Sequence, residues 1–204
     1  MIEPDAFVDN LALASRLRNI SGCIVECGVW RGGMSAGIAS VLGPARNYFL
    51  FDSFQGLPEA QPVDGVAAIA WQRNTDSPNF YDNCAAPPEF ARQAMKLAGA
   101  TNVELVKGWF NETIPSFRVP EPIALLRLDG DWYDSTTACL EGLYDQVTRG
   151  GLIIVDDYYA WDGCARAVHD FLSRRSATER IRSFGNIGYL VKGEFERPTE
   201  APLA

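Results

Sequence analysis

Gly22-Cys23-Ile24-Val25-Glu26-Cys27-Gly28-Val29-Trp30-Arg31-Gly32-Gly33 decides the fold. The first half is a nearly unbroken apolar run and reads as a buried strand. The second half is a glycine-rich turn opening a small-residue helix over 33–42, which Gly43-Pro44 stops. Working outward, the same alternation recurs. Strands are predicted over 47–52, 103–106, 123–128 and 151–155, and helices over 88–99, about 135–147 and about 164–174. Two short strands near 181–184 and 189–192 close the chain around a turn at Gly185-Asn186. Continuous Val/Ile/Leu strands separated by helices imply a parallel sheet covered on both faces, with an antiparallel addition at one edge.

At 204 residues the chain suits one α/β domain spanning 1–204. Within it, residues 1–20 read as an amphipathic lead-in helix and 194–204 as a loose polar tail. Residues 56–87 stand out as a long proline-rich loop (Pro58, Pro62, Pro78, Pro87) with Trp71, Phe80 and Tyr81 interspersed. A loop of that length inside a compact domain is usually functional or mobile.

A net charge of −8 and a pI near 4.7 disfavour nucleic acid and anionic membranes as partners, since both need clustered Lys and Arg. No run of about 18 apolar residues suggests a transmembrane helix. The acidic start Met1-Ile2-Glu3-Pro4-Asp5 lacks the features of a secretory signal, so a cytoplasmic location is expected. Five scattered cysteines contain no CxxC pair. Cys23 and Cys27, about 13 Å apart along a strand, are too far apart to bridge, so buried reduced thiols are expected.

Ligands of open α/β sheets bind beyond the carboxyl ends of the strands, and the polar residues of this chain collect there. Gly28, Gly32 and Gly33 form a tight turn, yet Trp30 stands where a dinucleotide GxG would need glycine. Together with Asp52, which ends strand two and suits ribose hydroxyls, the turn indicates an adenosine-type cofactor without a pyrophosphate. Ordinary helix-start glycines and a strand-end cap are the alternative. Asp129, Asp156 and Asp157, at adjoining strand ends, are oxygen ligands suited to Mg²⁺. The competing reading is helix capping, for which Asp134 or Ser135 and Asp162 are better placed. Arg127 should sit about 7 Å back from the edge, leaving the triad without a basic partner. Trp109 and Phe110 either flank an adenine or pack in the core. His169, the single histidine, reads as a surface or packing residue, so serine- and cysteine-hydrolase mechanisms lack a base.

Five ordered segments then resemble the macrocin O-methyltransferase family: Val25 to Gly33; Phe51-Asp52-Ser53-Phe54-Gln55-Gly56-Leu57-Pro58; Gly108-Trp109-Phe110-Asn111-Glu112-Thr113-Ile114-Pro115; Leu128-Asp129-Gly130-Asp131-Trp132-Tyr133-Asp134-Ser135-Thr136; and Val155-Asp156-Asp157-Tyr158. The resemblance implies a class I methyltransferase fold, Rossmann-like, with a mostly parallel seven-stranded sheet and one antiparallel strand. It also implies an O-methyltransferase using S-adenosylmethionine and Mg²⁺ on a sugar or phenol hydroxyl of a natural product. Carried over, the cofactor-binding positions are Glu26, Gly28, Arg31, Gly32, Gly33, Asp52, Ser53, Gly108, Trp109 and Asp129. The metal positions are Asp129, Asp156 and Asp157, with Asp129 doubling as general base. Members acting on macrolides carry a longer region before strand one than the roughly twenty residues here. Residues 56–87 are this chain's own, and with the lead-in helix they are expected to form a lid over the acceptor. A homo-oligomer stays open. Two other readings remain: Asp129-Gly130-Asp131 as the DxD motif of a glycosyltransferase, which leaves Glu26 to Gly33 and Asp156-Asp157 without roles, and a cofactor-binding domain without catalysis. A haloacid-type phosphatase fits poorly because Trp132-Tyr133 follows the DxD.

Overall fold

The computed structural model describes residues 2–195. In chain order its elements are α1 (Pro4–Ser15), β1 (Cys23–Cys27), α2 (Gly33–Leu42), β2 (Asn47–Asp52), α3 (Val66–Arg73), α4 (Pro88–Leu97), β3 (Asn102–Lys107), α5 (Phe110–Thr113), β4 (Ile123–Leu128), α6 (Tyr133–Leu143), β5 (Val147–Val155), α7 (Asp162–Arg174), β6 (Arg182–Phe184) and β7 (Ile187–Val191). The strands form one seven-stranded sheet in the order β3-β2-β1-β4-β5-β7-β6. β7 runs antiparallel to both its neighbours, and the remaining pairings are parallel. The expected α/β sheet with one antiparallel strand is therefore present.

The two-residue period of the strands divides the core into two layers. Ile24, Leu50, Leu125, Leu152 and Ile154 face one way, against Leu13 and Leu17, Ile38 of α2 and Met95 of α4. Val25, Cys27, Phe51, Leu126 and Ile153 face the other way, against Leu140 and Leu143 of α6 and Val168 and Phe171 of α7. Cys23, Cys27, Cys139 and Cys164 are the expected buried free thiols, whereas Cys84 is only half-buried.

The main departure lies in 56–87. Instead of a bare loop, this stretch folds an eight-residue helix, α3, flanked by short 3₁₀ turns at Pro62–Asp64 and Tyr81–Cys84. Ala67-Ala68-Ile69-Ala70 is a good helix-forming run, but the prolines on either side obscured it. Elsewhere the boundaries move by a few residues. α6 begins at Tyr133 and ends at Leu143, because Val147 already pairs with Ile123 in the sheet. α7 begins at Asp162, which is its first residue rather than its cap. The tail expected over 194–204 lies outside the described residues apart from Glu194 and Phe195.

Candidate active site

The carboxyl ends of β1, β2, β4 and β5 open into a cavity of about 1040 Å³. Its floor includes Gly28, Asp52, Asp129 and Asp157, and its walls come from α1, the β1–α2 turn and the segment around α3. All the positions expected at the site except Gly32 line it: Glu26, Gly28, Arg31, Gly33, Asp52, Ser53, Gly108, Trp109, Asp129, Asp156 and Asp157. Gly32 packs instead against Ala91 of α4.

The β1–α2 turn is shaped by two glycines with different tasks. Gly28 has φ +93°, and a Cβ there would lie 1.7 Å from the Asp129 carbonyl oxygen, so the turn and the end of β4 can approach only with glycine in between. At Gly33 a Cβ would meet nothing within 4 Å, so packing does not explain that glycine and the space in front of it is open. Asp52 ties the turn to β2. Its Oδ2 accepts from the Val29 and Trp30 amides at 2.7 Å each, and its Oδ1 accepts from Phe54 N at 2.6 Å. Ser53 is spent locally, donating to the Gly56 carbonyl at 2.9 Å and accepting from Gln55 N. Arg31 stacks its guanidinium on Trp30 (4.6 Å) and Phe90 (5.3 Å). The Trp30 indole N–H is buried without a partner, a donor held in reserve at the cavity wall.

Carboxylate oxygens of Asp129, Asp156 and Asp157 lie within 4.8 Å of one another. The expectation that Arg127 stands too far back is overturned. Arg127 pairs in register with Glu26 across β1 and β4, so both point to the same face. Its long arm then carries the guanidinium forward to the strand ends. Nη1 donates to Glu26 Oε1 at 2.6 Å and Asp129 Oδ2 at 2.7 Å. Nη2 faces Asp156 Oδ1 at 2.8 Å, an ion pair too bent for a hydrogen bond. One fully buried cation thus stands beneath three carboxylates, and Asp157 makes a fourth acid nearby.

Burial and this crowding raise the affinity of Glu26, Asp129 and Asp157 for protons. Glu26 is pushed up to about 7 by burial, against the pull of Arg127 and a hydrogen bond donated by Ser35. Asp129 is raised by burial despite Arg127, and Asp157 is held well above the carboxylate range by burial and by Asp131. Asp131 reaches about 7, from burial and the Asp129 charge, although the Trp161 indole donates to its Oδ1 at 2.8 Å.

The residues of 56–87 are fastened over this centre. Asp64 Oδ1 accepts from Tyr133 N at 2.7 Å, capping α6 from a distant segment, so neither Asp134 nor Ser135 caps it. The Trp132 indole donates to the Pro58 carbonyl at 2.9 Å. Trp71, Trp132 and Trp161 meet edge to face, with centroids 5.3–6.2 Å apart. Tyr81 to Cys84 all have φ between 52° and 62°, a left-handed run that costs non-glycine residues about 1–2 kcal/mol each. Asn83 holds it, exchanging two hydrogen bonds with Leu57 and accepting one from Gln72. His169 is placed away from the acids, its Nε2 2.9 Å from the Tyr158 hydroxyl.

The model of the Macrocin-O-methyltransferase (TylF) family matches residues 8–192. The chain belongs to the macrocin O-methyltransferase family. It is 36% identical over 175 residues to 8-demethyl-8-(2,3-dimethoxy-alpha-L-rhamnosyl)-tetracenomycin-C 4'-O-methyltransferase of Streptomyces olivaceus, covering 83% of this chain and 65% of that one. It is 33% identical over 169 residues to demethyldecarbamoylnovobiocin O-methyltransferase of Streptomyces niveus, covering 80% and 63%. The chain therefore spans just under two thirds of the length of these curated relatives. Among solved structures, the O-methyltransferase NovP superposes with a TM-score of 0.73 at 28% identity, over 90% of this chain and 79% of that one.

The sequence identified the strand-end acids and the glycine turn that line the cavity. Asn10 and Asp64 were missed, and Arg127 was weighed but set too far from the acids. Their signal was burial: each is a polar residue in or beside an apolar run, and only the packed structure shows which polar atoms meet them. Among the described residues no helix is long and apolar enough to cross a membrane.

Proposed function

We propose that this chain is an S-adenosylmethionine-dependent, Mg²⁺-dependent O-methyltransferase acting on a hydroxyl of a sugar or other small natural-product acceptor. The observation that carries it is the meeting, in one cavity, of the glycine turn with its Asp52 and the carboxylate cluster Asp129, Asp156 and Asp157. The relatives' names, both O-methyltransferases, support the reaction class.

The residues fit both groups. For the cofactor, open space before Gly33, the unpartnered Trp30 N–H and the Arg31 guanidinium form one wall, with Trp109 and Phe110 on another. S-adenosylmethionine brings a methyl group activated by sulfonium charge. For the metal, the hydrogen bonds to Asp129 and Asp157 occupy one oxygen of each and leave the other free. Asp129, Asp156 and Asp157 would hold a Mg²⁺, which would supply Lewis-acid activation of an acceptor hydroxyl. Asp129 takes the hydroxyl proton as general base. The walls from α1 and α3 exclude water and set the approach of the acceptor, on which much of the rate depends.

Two measurements test the cofactor and acceptor halves. Asp52→Ala should weaken S-adenosylmethionine binding by about 1.5–3 kcal/mol in calorimetry, the loss expected for charged hydrogen bonds. Part of that loss comes from freeing the Val29 and Trp30 amides. A folded variant with wild-type affinity rules out the assignment. Trp71→Ala should raise the acceptor KM about tenfold, roughly 1.4 kcal/mol of lost contact, and leave cofactor affinity within twofold. An equal loss of cofactor affinity would instead place α3 in the cofactor site. Release of S-adenosylhomocysteine across a panel of hydroxylated acceptors tests the reaction itself.

A further inference from the structure

We infer that Asn10 of α1 is a positioning residue of the carboxylate centre, holding Asp156 and Arg127 in place from a helix that the sequence assigns only to the acceptor lid. The inference rests on the metal reading above and adds to it a residue outside the strand ends.

Asn10 is fully buried, with the apolar Leu13 and Ala14 of the same helix as its buried neighbours. Asparagine is a poor helix former and a costly group to bury unless its amide is paired. Here every polar atom is used. Nδ2 donates to Asp156 Oδ1 at 2.9 Å and to the Ala6 carbonyl at 3.0 Å, and Oδ1 accepts from Arg127 Nε at 3.1 Å. The amide thus bridges a cation near the end of β4 and an anion in the turn that follows β5. A leucine would fill the space and leave both partners short. A lysine could serve only the anion, and an aspartate only the cation. The bridge also ties the helix to the chemistry, because Phe7, one turn earlier, lines the cavity. Residues that orient metal ligands from behind typically govern metal affinity by 10–100-fold.

Mn²⁺ is the probe, titrated by electron paramagnetic resonance of the free ion, with S-adenosylmethionine affinity measured by calorimetry alongside. Asn10→Leu is expected to lower Mn²⁺ affinity by about 10–100-fold, to leave cofactor affinity within about threefold, and to regain turnover at high Mg²⁺. Should that variant fail to fold, Asn10→Ser keeps a donor and an acceptor on a shorter arm and is expected to show a smaller loss in the same direction. Unchanged Mn²⁺ affinity in a folded variant, while Asp156→Asn loses it, overturns the inference and leaves Asn10 a packing residue. A parallel fall in cofactor affinity overturns it as well, since that marks general damage. If the wild-type chain binds no Mn²⁺, the metal reading itself fails and this inference falls with it.

Discussion

Chelation with EDTA is expected to abolish methyl transfer by this chain, and added Mg²⁺ to restore it. Glu26, Asp129 and Asp156 surround the single Arg127 guanidinium, and Asp157 stands beside them. One cation against four carboxylates leaves an excess of negative charge in a half-buried site, and desolvation and mutual repulsion raise the proton affinity of Asp129 and Asp157. A divalent ion would compensate that excess, and an all-oxygen donor set would select Mg²⁺ or Ca²⁺ over Zn²⁺. Asp156→Asn should act mainly through metal affinity and be partly rescued by high Mg²⁺. Asp129→Asn removes a ligand and the base together, so a loss of about 10²–10⁴-fold should persist at any Mg²⁺ concentration. Turnover followed against Mg²⁺ concentration separates the two. Full activity in EDTA would remove the triad from the mechanism and turn attention to Asp131, which lines the same cavity and sits at about 7.

The second large effect concerns stability. Arg127→Met should destabilise the metal-free protein by about 3–5 kcal/mol, the usual result of removing one partner from a buried ion network. For a chain of this size that lowers the melting temperature by roughly 6–20 °C. The loss should depend on pH. Without the guanidinium, Glu26 and Asp129 bind protons more tightly in the folded state than in the unfolded chain, where Glu26 has its ordinary value of 4.5. Between the unfolded and folded pKa values the folded protein holds protons that the unfolded chain has released, so stability falls as pH rises through that window. Melting curves in EDTA should show a modest deficit near pH 5 and the full deficit near pH 8. Adding Glu26→Gln should recover part of it at pH 8. A deficit independent of pH would mean that Arg127 contributes packing rather than charge.

The two predictions differ in how much of their basis was legible beforehand. The triad could be read because each aspartate follows an apolar run, and in a parallel sheet all such ends lie along one edge. The reach of Arg127 could not be read in this way. Strand rise placed its Cα correctly, two residues behind Asp129 on the same face, but not its guanidinium. Which carboxylates the fork meets depends on the β1–β4 register and on what covers that face.

The sequence by itself determined the sheet, the glycine turn, the acidic strand ends and the family, because these rest on local periodicity, backbone requirements at single residues and motifs contiguous in the chain. Only the tertiary structure decided the α3 wall and its fastening through Asp64 and Trp132 to α6. The same holds for the bridge from Asn10 to Asp156 and Arg127, whose partners lie 146 and 117 residues away. The physical reason is the same in each case. A buried polar atom must find a partner, but which one it finds is settled by packing between elements distant in sequence, and no local pattern encodes that choice.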